Sequence, residues 1–162
     1  MIVNKKIQIK LALSNSQINQ VRDLLAEYGK IRNHDCALGD FQTELKELGK
    51  YYPPPKSCLL IAYFDGNPAA CVAFRQLDIN NKICEMKRMY VRDKFKGKKI
   101  GKELALEIMK QAQKSGYEKM KLDTHPSMKI AQKMYISLGF KEIPRYNQNP
   151  TEGIRFFEIN LF

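Results

Sequence analysis

Glu85-Met86-Lys87-Arg88-Met89-Tyr90-Val91-Arg92-Asp93-Lys94-Phe95-Lys96-Gly97-Lys98-Lys99-Ile100-Gly101-Lys102 is the stretch whose reading decides the fold. Its first half continues a strand predicted over Ile83–Val91. From Ile100 the apolar residues Ile100, Leu104, Ile108 and Ala112 recur at four-residue steps, one stripe of a helix that Gly116 stops. The turn between is basic: from Lys82 to Lys102 nine cationic side chains face two acidic ones, Glu85 and Asp93. A strand entering a helix through such a turn suits a phosphate group. The first helical amides have no internal partner, the helix dipole adds positive potential there, and Gly97 and Gly101 let a ligand approach the backbone. A P-loop is excluded by the spacing and by Glu103 where Ser or Thr is required, and the Rossmann glycine triplet is absent.

Upstream, Ile7–Leu13 alternates as a strand, and Ser14-Asn15-Ser16 can cap a helix bearing Ile18, Val21, Leu24, Leu25 and Tyr28 on one face. Phe41, Leu45 and Leu48 suggest a second helix closed by Gly49, after which Tyr51–Pro55 is a stiff, aromatic loop. Cys58–Phe64 and Ala69–Leu77 read as strands joined by a turn at Asp65-Gly66-Asn67-Pro68. Downstream come a strand at Tyr117–Leu122, a helix with Ile130, Ala131, Met134, Tyr135 and Leu138, and closing strands at Phe140–Ile143 and Ile154–Leu161. About seven strands and four helices follow. Hairpins in the centre and strand-helix-strand order later imply a mixed α/β sheet, helices on both faces, in one domain over residues 1–162.

The 28 Lys and Arg against 17 Asp and Glu leave a net charge of +11, which favours polyanionic partners: nucleic acid, a membrane surface or a phosphorylated cofactor. The basic segment lacks the interleaved aromatics that stack on bases, so nucleic acid is disfavoured. No stretch approaches the ~18 apolar residues of a membrane span, and the start has no signal-peptide core. Cys36, Cys58, Cys71 and Cys84 form no C-x-x-C pair and read as buried free thiols, so a cytoplasmic location is expected. His34 and His125 are too few and too far apart to argue for zinc, and no metal is expected.

Val91–Leu104, VRDKFKGKKIGKEL, resembles the coenzyme-A turn of the GNAT acetyltransferases, in which Arg or Gln is followed by two residues, Gly, one residue, and Gly or Ala. Ala131–Phe140, AQKMYISLGF, resembles that family's second signature at the usual separation. CEMKRMYV, LDT and YNQNP are similar to a bacterial branch with mostly unassigned substrates. Lys96 stands where Arg or Gln is usual, Lys99 replaces a Gly and can serve there if its backbone is helical, and Met128 stands where many relatives have Asn.

The resemblance implies a splayed GNAT-type sheet and acetyl transfer from acetyl-CoA to a primary amine of a small molecule or peptide. It implies cofactor contacts from the backbone of Met89, Tyr90 and Val91, from Lys96, Gly97, Lys98, Lys99, Ile100, Gly101 and Lys102, and from Ala131. It further implies Tyr135 as the proton donor to the departing thiolate, the alternative being a core aromatic. Glu85 is implied as the amine's proton acceptor, the alternative being a structural pair with Lys87 on the same strand face. Tyr51–Pro55 and Arg145–Asn147 are expected around the acceptor, with Arg75 nearby. A homodimer is left open, and a non-catalytic acyl-CoA sensor is the second reading.

Overall fold

The computed structural model describes residues 6–31 and 38–162. In chain order it contains β1 (Ile7–Leu11), α1 (Asn15–Ile31), α2 (Leu38–Lys46), α3 (Leu48–Tyr51), β2 (Cys58–Phe64), β3 (Asn67–Asp78), β4 (Ile83–Val91), α4 (Ile100–Lys114), β5 (Lys119–Thr124), α5 (Lys129–Ser137), β6 (Lys141–Ile143) and β7 (Arg155–Asn160). His34 and Cys36 lie outside the described residues.

Local chemistry sets several boundaries. Ser14 caps α1: its Oγ accepts the Gln17 amide at 3.1 Å, while Gln17 Oε1 accepts the Ser14 amide at 3.1 Å, a reciprocal capping box. The β2–β3 turn is only Asp65-Gly66, both at positive φ (49° and 80°), so β3 starts at Asn67 rather than Ala69. The expected second helix divides into α2 and α3, giving five helices among the described residues instead of four. Gly49 lies inside α3 rather than closing a helix, because the chain continues through Lys50 and Tyr51 with amides bonded to Glu47 O.

The seven strands form one sheet in the order β1-β2-β3-β4-β5-β7-β6, antiparallel except for β4 and β5. One core lies between the sheet and α4 and α5, around Phe74, Met120, Phe157, Leu104 and Ile108. The other lies under α1–α3, around Leu24, Leu25, Leu48, Ile61 and Ala73. Two irregularities shape the molecule. β4 pairs with β5 only over Ile83–Glu85, although it pairs with β3 as far as Val91, so the sheet opens between β4 and β5 beyond Glu85. Between the Cys71–Tyr90 and Ala73–Lys87 pairs β4 carries one extra residue, a bulge with Arg88 at φ 61°.

Candidate active site

The opening holds a cleft of about 1020 Å³. One wall is Asp40, Phe41 and Glu44 of α2 with Tyr51, and the floor is Arg75 of β3 and Met86–Met89 of β4. The opposite wall is Leu122–His125, Met128 and Tyr135, roofed by residues 147–152 and Ile154. The splayed sheet implied by the resemblance is thus present, and its open edge includes the backbone of Met89, Tyr90 and Val91 beyond the last β4–β5 pair.

The basic turn stands past the end of β4, outside the cleft lining. Among the described residues the backbone amides of residues 97–102 donate no hydrogen bond, and the first amide bonded into α4 is Glu103, to Lys99 O at 3.1 Å. Six consecutive unpaired amides at a helix start make a ready anion cradle. Gly97 has φ 79°, a region that costs other residues strain. The backbone of Lys99 is not helical. It adopts φ 64°, ψ 14° as the residue before α4, which explains why a Gly suits this position. At Gly101 an added Cβ would meet Val91 Cγ2 at 3.7 Å and Met134 Sδ at 3.6 Å, so the cradle lies between the end of β4 and α5. Lys96 pairs with Asp93 at 2.6 Å and Lys98 lies 5.0 Å over the Phe64 ring. Lys99 and Lys102 have no ion pair among the described residues, which leaves their charge for a ligand. The cradle fits a pyrophosphate. Ile100 is buried and anchors the turn, and half-buried Ala131 packs against the α4 side core.

Tyr135 is buried, lies edge-on to Phe140 at 5.6 Å and reaches the cleft, so both readings of its ring meet in one position. Burial pushes its hydroxyl well above the usual tyrosine value, which keeps it protonated. Glu85 is 2% exposed. Its Oε1 accepts Arg75 Nε at 3.1 Å with Lys87 Nζ at 3.8 Å, and its Oε2 accepts Tyr146 Oη at 2.7 Å and Asn147 Nδ2 at 3.4 Å. The Lys87 pair is therefore present within a larger network, and neither oxygen is free to meet an amine without displacing a donor.

Asp123 and Glu44 at the site were not singled out from sequence, whereas Asn147 and Arg145 were expected around the acceptor. Asp123 flanks the opening from β5. Its Oδ2 accepts Asn147 at 2.6 Å and Asn149 at 3.4 Å, and its Oδ1 accepts no hydrogen bond among the described residues. Glu44 grips Arg88 through two bonds, Nε–Oε2 at 2.6 Å and Nη2–Oε1 at 3.1 Å, and the guanidinium lies 4.8 Å from the centre of the Phe41 ring. This pairing holds Arg88 firmly charged despite burial. Arg145 caps its own loop, donating to Asn149 O at 2.6 Å, and does not line the cleft. Among the described residues no group of His, Cys, Asp and Glu could hold a metal.

The acetyltransferase (GNAT) family profile matches residues 18–140. An uncharacterised N-acetyltransferase of Schizosaccharomyces pombe is 30% identical over 99% of each chain. N-acetylaspartate synthetase of Mus musculus is 36% identical over 67% of this chain, which spans 36% of that protein. Relatives also include proteins of Dictyostelium discoideum and Escherichia coli, so the resemblance is not confined to bacteria. Among solved structures, a GNAT acetyltransferase of Staphylococcus aureus Mu50 superposes with TM-score 0.79 at 23% identity, covering 96% of this chain and 99% of that one. The chain therefore belongs to the GNAT acetyltransferase family and is an acetyl-CoA-dependent acyltransferase.

Proposed function

We infer that the protein transfers acetyl directly from acetyl-CoA to a primary amine of a small molecule or peptide. The observation that carries this is the run of unpaired amides at residues 97–102 at the end of a strand whose next edge is open to a cleft. The pyrophosphate of the donor rests on those amides with Lys99 and Lys102, and the open backbone of Met89–Val91 supplies hydrogen bonds to the donor's amides and to the thioester oxygen. Acetyl-CoA supplies the activated acyl group. Cys58, Cys71 and Cys84 are poor candidates for carrying the acyl group, since they are buried and burial pushes each thiol up to about 12.

As the C–N bond forms, the nitrogen becomes acidic and loses its proton, and the C–S bond breaks with the electron pair going to sulfur. Tyr135 donates a hydrogen bond to that sulfur. Because burial raises its pKa, full proton transfer is uphill, and stabilising the thiolate is its main contribution. Asp123, with its unbonded Oδ1, takes the amine proton, and Glu85 acts as the positioning group that fixes Arg75, Lys87 and Asn147. The buried, unpaired cysteines support a reducing, cytoplasmic setting.

The test is free-thiol release from acetyl-CoA across a panel of amines. Tyr135→Phe and Asp123→Asn should each lower kcat by about 10²-fold with acetyl-CoA affinity retained. If Glu85→Gln removes activity while Asp123→Asn does not, the proton goes to Glu85 instead. If acetyl-CoA binds and no amine accelerates thiol release, the transfer reading falls.

A further inference from the structure

The cleft floor has a charge arrangement that the transfer chemistry does not use. Arg75, Lys87 and Arg88 lie side by side on β3 and β4, and among the described residues two buried carboxylates pair with them: Glu85, shared by Arg75 and Lys87, and Glu44, spent on Arg88, while Asp123 adds a longer-range attraction on Lys87. Both arginines are gripped through Nε and one terminal nitrogen, Arg75 by Glu85 at 3.1 Å and Arg88 by Glu44. Each guanidinium is thereby fixed in its plane with its remaining Nη1 edge unbonded among the described residues. Arg88 is held at positive φ in the bulge, a conformation that persists only when its surroundings enforce it.

A further observation indicates a missing acceptor of hydrogen bonds. Lys87 is a largely buried ammonium, with its side chain 21% exposed, whose nearest carboxylate lies 3.8 Å away and is shared. Burial accordingly lowers its pKa. Across the opening the balance reverses, for Asp123 presents its unbonded Oδ1.

Resting on the transferase reading, we propose that the acceptor is a small amino acid: its carboxylate docks on the cationic floor formed by Arg75, Lys87 and Arg88, and its amine points across the opening to Asp123. The acceptor is matched as a zwitterion, cationic end to the lip and anionic end to the floor; its ammonium gives one proton to Asp123 to free the attacking lone pair, and the proton shed as the amide forms goes to the departing sulfur, so that coenzyme A leaves as the thiol. A polyamine would set a second ammonium against a floor whose three cations outnumber their two carboxylates, and an uncharged amine would leave Lys87 and the arginine edges unanswered.

The experiment compares kcat/KM for amino acids with that for their own amides, glycine with glycinamide and aspartate with aspartate diamide, adding 1,4-diaminobutane and phosphoethanolamine. An amide's amine is the less basic of each pair, so a preference for the acid cannot come from a larger free-amine fraction. The acid should be favoured by about 10- to 100-fold. Lys87→Met and Arg75→Gln should raise KM for the acid more than they lower its kcat and bring the acid-to-amide ratio toward one, with Lys87→Arg restoring part of it. Calorimetric binding of acetyl-CoA to each variant checks that the fold survives. Amides, the diamine or phosphoethanolamine used better than the acids would overturn the proposal while leaving the transferase intact, as would a preference for acids undiminished in both variants. If none of these amines is acetylated, the transferase reading falls first and the proposal with it.

Discussion

The donor cradle and the acceptor cleft are built in opposite ways. The cradle at residues 97–102 is local: one turn, one helix start and two glycines, with function carried by main-chain amides. The floor is assembled from Glu44, Arg75, Lys87, Arg88, Asp123 and Asn147, which belong to five separate stretches of chain and act through side chains. A backbone site is blind to most substitutions and sensitive to conformation. A side-chain site is the reverse, because each charge depends on a partner far away in sequence.

The largest effect that would break this contrast is at the floor. Glu44→Ala leaves Arg88 buried without its counter-charge and should cost about 3–5 kcal/mol in urea unfolding. A cost below about 1 kcal/mol would mean that the pair is not what holds the bulge. At the cradle, Gly97→Val forces a β-branched residue to φ 79°. It should weaken acetyl-CoA binding by about 10-fold in calorimetry, by losing aligned charge-assisted amide bonds. Gly97→Ala should do the same less severely.

A smaller effect concerns pH. Lys87 is held below its ordinary value of 10.5, so between its native pKa and 10.5 the unfolded chain binds the proton that the native chain has lost. Native stability should therefore rise with pH across that window relative to Lys87→Met, and below the window the cost of burying the charge is fully present. Parallel unfolding midpoints of the two proteins against pH would contradict it. The smallest effect is Lys99→Gly: relief of left-handed strain is offset by the greater entropy of the unfolded chain, so stability should change by less than about 1 kcal/mol. The lost cation should weaken acetyl-CoA binding a few-fold.

The same contrast explains what could be read in the sequence. Helix periodicity from Ile100 and the glycine pair placed the cradle, because its parts are neighbours in sequence. All seven strands were legible from alternation and turn residues, with ends shifted by a few positions, as where Asp65-Gly66 closes a tighter hairpin than Asn67 and Pro68 suggested. The division of α2 from α3 was not, since the apolar spacing of Phe41, Leu45 and Leu48 is that of one continuous stripe. The conformation of Lys99 could not be read from the helix pattern, which begins only at Ile100; it sits one residue before the first helical turn, where the chain must reverse its hand. The floor was hardest. Glu85 and Lys87 share a strand face and were visible as a pair, but Tyr146 and Asn147 reach Glu85 from more than sixty positions away. The extra residue that turns Arg88 toward Glu44 leaves no local mark beyond a basic pair in a strand. Tyr51, Arg75 and Asn147 were expected around the acceptor and do line the cleft, but the approach of Asn147 and Asn149 to Asp123 left no mark in the sequence.

The most direct measurement counts free thiol and N-acetylated product in the same reaction, with the intact mass of the protein taken before amine is added. Direct transfer predicts equal amounts of thiol and acetylated amine, and a protein mass unchanged by acetyl-CoA alone. Thiol released without acetylated amine, or an acetyl group carried on the protein before amine arrives, would contradict it.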